Sequence, residues 1–200
     1  MSFKYNRFTK RELEAAAAAF LKTNIKCSGC KVLIEEMLEA HGYDIIPVQG
    51  LYRYAEAYIP RKPGILFVDE DQQLSHPLRY RFTIAEELAH CIIHHKIFKG
   101  KSFSENREVY NSISETDYQD LERNAKFLAA ALLMPRETFV ERFNFHKQRI
   151  GLKTKNPVEI ISLVVGSLKS EFEVSKESIG VRCKHIGLID ETCLLGLVID

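Results

Sequence analysis

Glu86, Glu87, His90, His94 and His95 crowd into one short stretch, RFTIAEELAHCIIHH, running from Arg81 to His95. The surrounding run, Pro77–Lys96, is expected to be a single long helix, with Ile84, Leu88, Ala89, Ile92 and Ile93 as its apolar cover. Residues four apart on a helix lie on one face, one turn above the other. Glu86 and His90 are such a pair, so a carboxylate and an imidazole would face one cation, with Glu87 projecting beside it. In the His-Glu-x-x-His pattern two imidazoles hold a metal and the glutamate takes a proton from water. Here the pattern reads Glu-Glu-x-x-His. Glu86 stands at the first ligand position, His90 at the second and Glu87 at the general base.

A catalytic metal site needs a third protein donor and an open fourth position. Glu122, near the start of the apolar run LERNAKFLAAALLMP (Leu121–Pro135), is the candidate. A register one turn further along, His90 with His94 and the adjoining His95, would also offer two imidazoles. Cys91 would then sit at the base position, which gives a metal site without a general base. The third reading is a polar surface stripe with no ligand at all.

Glutamate at position 86 changes the chemistry. Two carboxylates and one imidazole around Zn²⁺ leave no net charge, against +1 for two imidazoles and one carboxylate, so the Lewis acid is weaker. An oxygen-rich donor set also shifts preference toward Mn²⁺ or Fe²⁺. Without a cation, Glu86, Glu87 and Glu122 would crowd like charges, and at least one of their pKa values should rise.

The elements that position these residues follow from periodicity and caps. Thr9 and Glu12 read as a capping box ahead of a first helix that ends near Cys27–Cys30. A second helix is expected over Lys31–His41, stopped by Gly42. Tyr43–Val48, Ala55–Ile59 and Gly64–Asp69 are short, β-branched or aromatic, and read as a three-stranded sheet. Phe98–Thr116 is polar and is expected to be a loop. Asp117–Met134 reads as a buried helix ended by Pro135, followed by a short helix over Arg136–Phe145. Asn156-Pro157 opens another helix through Leu168, Ser175 caps one more to Lys184, and Cys193–Ile199 is strand-like. The fold class is α+β, mostly helical with a small sheet beside the active-site helix.

Composition narrows the function classes. The 200 residues are 46% hydrophobic and 28% charged, ample for one real core. A net charge of +1 gives no electrostatic footprint for nucleic acid, and the basic cluster Lys4, Arg7, Lys10 and Arg11 reads as a solvated end. No helix-turn-helix with a basic recognition face is evident, so direct nucleic-acid binding is not expected. The first residues lack an apolar core and no run has membrane-spanning length, which points to a cytoplasmic protein without membrane contact. Five cysteines, Cys27, Cys30, Cys91, Cys183 and Cys193, are an odd count that suggests free thiols. CSGC, Cys27–Cys30, lacks the second pair a zinc ribbon needs and reads as a turn with two thiols.

Two linked motifs then carry a specific resemblance. RFTIAEELAH followed by ERNAKFLAAALLMP is similar to the ImmA/IrrE family of zinc metallopeptidases, in which Arg-Phe-Thr and His-Glu-x-x-His precede a Glu-containing helix ending in Leu-Leu-Met-Pro. GILFVDED upstream and FEVSKESIGVRCKHIGLI downstream extend the resemblance over about Lys31–Ile189. It implies a zincin-like core at 31–190, an N-terminal helical segment at 1–30 and a tail at 191–200. It further implies that His90 is the second ligand, Glu122 the third and Glu87 the catalytic glutamate, with His94 supporting the site. Glu86 departs from the family histidine, and Lys126 stands where the family often has Asn. The implied activity is endoproteolysis of a repressor or another regulatory protein, often encoded beside a mobile element, with zinc as the cofactor and Mn²⁺ or Fe²⁺ as alternatives. The competing reading is a metal-free, catalytically silent regulator that binds a partner protein through the same groove.

Overall fold

The computed structural model describes residues 7–59, 64–94 and 113–189. Within them the chain forms eight α-helices and two small sheets, the mostly helical α+β arrangement that the sequence implies. Helix α1 (Lys10–Asn24) starts at the Thr9–Glu12 capping box, whose two reciprocal hydrogen bonds are both formed. Leu13, Ala17 and Leu21, at successive i+4 positions, give it one buried stripe.

The stretch after α1 differs from the expected turn and helix. Cys27–Ser28 (β1) and Lys31–Val32 (β2) pair as an antiparallel hairpin, and helix α2 covers only Ile34–Ala40. Gly29 adopts φ +63° at the first turn position, where a side chain would be strained, and this lets a two-residue turn close. All four described cysteines are free, and Cys193 lies outside the described residues.

The three-stranded sheet is present, with trimmed strands. Strands β3 (Asp44–Val48) and β5 (Ile65–Asp69) run parallel, and β4 (Ala57–Tyr58) pairs antiparallel to β5 in the order β3-β5-β4. Leu66 and Val68, two apart on central β5, are fully buried and mark its core-facing side. Asp69 ends β5 and caps a helix the sequence reading missed, α3 (Glu70–Ser75), by accepting from the Gln72 N–H at 2.9 Å.

Helix α4 (Pro77–Ile93) is the expected active-site helix; His95 and Lys96 lie outside the described residues. It packs chiefly on α5 (Glu115–Leu133), whose long run from Leu121 to Leu133 supplies the centre of the core. Ser114 caps α5, so the expected loop ends before Thr116, and its part from 98 to 112 is outside the described residues. Helix α6 (Arg136–Gly151) is longer than the expected Arg136–Phe145, because nothing breaks it before Gly151 and Phe139 and Phe143 pin one face. Helices α7 (Pro157–Phe172) and α8 (Lys176–Ile186) complete the set, capped by Asn156 and Ser175. The strand-like tail Cys193–Ile199 is outside the described residues.

Two buried arginines tie these pieces together. Arg81 of α4 donates to the Val32 carbonyl at 3.0 Å and to the Glu173 carbonyl at 3.2 Å, bracing the helix against the hairpin and the α7–α8 turn. Arg182, fully buried on α8, donates to the Met134 carbonyl at 3.1 Å and pairs with Glu14 of α1. The Leu-Leu-Met stretch at 132–134 is fully buried, so this part of the motif is core packing.

Candidate metal centre

The α4–α5 packing sets the site. Glu86 and His90 lie one turn apart on α4, and Glu122 enters from the first half of α5. One ligand atom from each of the three lies within 4.8 Å of the others, and this is the one such group of three among the described residues. His90 Nε2 stands 3.8 Å from Glu122 Oε1. Four-coordinate zinc with bonds of about 2.1 Å separates its ligand atoms by about 3.4 Å, so a small side-chain adjustment would close the set. All three residues are half-buried.

The electrostatics describe a site short of positive charge. Burial, with Glu122 and Glu56 adding to it, pushes Glu86 up to about 7 even though Lys126 and Arg79 pull the other way. Burial, then Glu86 and Glu122, pushes Glu87 up to about 8. Glu122 is raised by burial against the pull of Lys126. His90 goes down to about 4, through burial and then the Lys126 ammonium, so its imidazole is neutral and able to ligate at pH 7. Three carboxyls raised together beside a neutral imidazole are what a divalent cation would relieve. The donor set therefore fits a metal.

His94 acts on His90 and does not share a ligand position with it. Their Nδ1 atoms are 2.9 Å apart. Burial, then His90, drives His94 down to about 3, so both rings are neutral and one Nδ1–H must donate to the other. With His90 as the donor, its Nε2 keeps a lone pair on the Glu122 side, the orientation a metal ligand needs. The register shifted to His94 is thus not assembled among the described residues, and His95 lies outside them. Lys126, exposed one turn beyond Glu122, brings its charge to bear on Glu86, His90 and Glu122 alike. Cys91 bonds to the Tyr43 hydroxyl at 3.5 Å.

Two neighbours escaped the sequence reading. Tyr118, one turn before Glu122, has its hydroxyl pKa raised by burial and then by Glu122, with Glu86 also contributing. Glu56 accepts from Gln72 at 3.1 Å, pairs with Arg79 and lies within 3.5 Å of the Thr83 hydroxyl, one turn before Glu86 and Glu87. A tyrosine four residues before an expected ligand was a readable signal. Glu56 carried none, because its partners are brought in by the sheet.

Residues 25–184 match the family of the peptidase M78, IrrE N-terminal-like domain. The chain belongs to that family. It is therefore an IrrE/ImmA-like, metallopeptidase-type protein. A Mycobacterium tuberculosis transcriptional regulator shares the fold, with a TM-score of 0.58 at 17% identity, over 87% of this chain and 46% of that one. The chain thus spans less than half the length of that protein. No curated protein matches the sequence significantly. No helix among the described residues of this IrrE-like chain is long and apolar enough to cross a membrane.

Proposed function

We propose that the protein is a metal-dependent endopeptidase acting on a repressor or another regulatory protein. The convergence of Glu86, His90 and Glu122 beside Glu87 is the observation that carries this reading. A divalent cation held by those three side chains would polarise the scissile carbonyl and acidify water at the open position. Two carboxylates and an imidazole suit Mn²⁺ or Fe²⁺ as well as Zn²⁺.

The remaining steps belong to the chain. Glu87 takes the proton of the attacking water on its carboxylate and passes it to the leaving amine. It holds a proton at pH 7 while the site lacks positive charge, so cation binding must first lower its pKa. The contact of His94 Nδ1 with His90 Nδ1 would hold the His90 ring in place to ligate.

Glu86 in place of histidine favours a second reading, a protein-binding regulator without turnover. New protein N-termini in cells expressing wild type, Glu86→His or Glu87→Gln separate the two. The endopeptidase reading expects N-termini on a regulatory protein that depend on Glu87 and increase with Glu86→His. N-termini indistinguishable between wild type and Glu87→Gln would leave the regulator.

A further inference from the structure

CSGC, Cys27–Cys30, plays no part in the metal centre, and its hairpin sets both thiols on one side of the chain. Cys27 pairs across the ladder with Val32, and cross-strand partners share a face. Val32 is fully buried, so that face looks toward the core. Ser28 and Lys31 take the opposite face, where Lys31 pairs with Glu173 at 2.8 Å. Gly29 opens the two-residue turn at φ +63° and Cys30 follows without a positive φ, the pattern of a type II′ turn. Cys30 packs against the core cluster that contains Val32. Cys27 is exposed and Cys30 partly buried, so one thiol of the pair is open to solvent and the other is sheltered. The two lie close enough for Cys30 to raise the Cys27 pKa, after burial. Cys30 is itself raised by burial and then by Glu171, against the pull of Arg142. On balance the surroundings disfavour both thiolates. A dithiol whose ionised form gains no support gives a disulfide that resists reduction.

We propose that Cys27 and Cys30 close to a disulfide when hydrogen peroxide reaches the hairpin, and that this bond staples the strand pair bracing the active-site helix. The Cys27 thiolate attacks one peroxide oxygen, the O–O bond breaks, and the departing hydroxide takes up a proton to leave water. The Cys30 thiolate then attacks the sulfur of the Cys27 sulfenic acid, which forms the S–S bond and releases a second water. Both sulfurs are oxidised, the peroxide is reduced, and the two thiol protons end in the waters. The staple bears on α4 because the carbonyl of Val32, the cross-strand partner of Cys27, accepts from Arg81 at 3.0 Å. None of this depends on the metal centre or on the peptidase reading.

Peptide mapping of the full chain, oxidised with hydrogen peroxide and then alkylated, tests the proposal without metal or turnover. The expected result is a Cys27–Cys30 disulfide within the hairpin peptide, reversed by dithiothreitol, while the fully buried Cys183 remains a thiol. Cys30→Ser should stop at the sulfenic acid, so that dimedone labels Cys27 in the variant and not in wild type. Amide exchange reads the staple itself. The Leu33 N–H, which donates to the Lys26 carbonyl at 2.8 Å, should exchange about tenfold more slowly once the disulfide forms. Reduced thiols at both positions, separate sulfinic acids without a bridge, a bridge to another cysteine, or Leu33 exchange unchanged by oxidation would overturn the proposal.

Discussion

Raising the pH from 7 to 9 in a chelator should destabilise the metal-free protein by about 2 kcal/mol through Glu86 and Glu87 alone. Both carboxyls are raised in the folded state, to about 7 and about 8, from an unfolded value of 4.5. A carboxyl with a raised folded pKa binds its proton more tightly in the folded protein. Its contribution is full below pH 4.5 and is lost as pH rises to the folded pKa. Between pH 7 and 9 the folded chain keeps, on average, about half a proton on Glu87 and about a sixth on Glu86, while the unfolded chain keeps almost none. At 1.36 kcal/mol per proton per pH unit, two units cost about 2 kcal/mol, which for a chain of this size is about 4–8 °C in Tm. His90 and His94, with depressed pKa values, are neutral in the folded state throughout this window and nearly so when unfolded, so they oppose the trend only weakly. Cysteine ionisation in the unfolded chain adds a slope of its own, and the Glu86→Gln/Glu87→Gln double variant measures that background. Thermal melts by circular dichroism at pH 7, 8 and 9 give the difference. A wild-type slope no steeper than that of the double variant would refute the reasoning.

Removing one donor should release the cation. Glu122→Ala is expected to lose most bound Zn²⁺ or Mn²⁺ by metal analysis while keeping its circular dichroism spectrum. Wild type with a cation at a hundredfold excess over Kd should gain about 2.7 kcal/mol, or about 5–11 °C in Tm, and Glu122→Ala should not. Lys126→Asn removes one positive charge facing a divalent cation. At about a Debye length in a water-like dielectric the screened repulsion is about 0.3–0.4 kcal/mol, so calorimetry should show cation affinity rising about twofold, with the gain growing at low salt and vanishing at high salt. Cation affinity should also rise with pH up to about 7, because Glu86 must give up its proton to ligate; a pH-independent Kd between 5 and 7 would contradict that.

The site was legible where one helix carries it. Glu86, Glu87 and His90 sit on α4 at spacings that any helix converts into a shared face, and Glu122 could be reached because its apolar helix had to pack on something. The capping residues Thr9, Asn156 and Ser175 announced their helices for the same local reason. What depends on distant pairing was hidden. The hairpin at Cys27–Val32 needs Gly29 at positive φ and a carbonyl for Arg81, which no local pattern shows. Helix α3 was missed because its six residues carry almost no apolar stripe and rely on the Asp69 cap. The length of α6 was underestimated because a polar sequence gives no stop signal of its own before Gly151. A supporting place for His94 was already implied by the family resemblance, and the structure adds the contact that could serve it, His94 Nδ1 at 2.9 Å from His90 Nδ1.

The central claim is that Glu86, His90 and Glu122 together hold a divalent cation. Anomalous diffraction from crystals soaked in Mn²⁺ tests it most directly, since it locates the ion without reference to activity. The account predicts one strong peak bounded by a carboxylate oxygen of Glu86, Nε2 of His90 and a carboxylate oxygen of Glu122, with Glu87 beside it and not coordinating. A peak held by His94 or His95 instead, or no peak at the α4–α5 cluster in crystals that carry Mn²⁺ elsewhere, would contradict it.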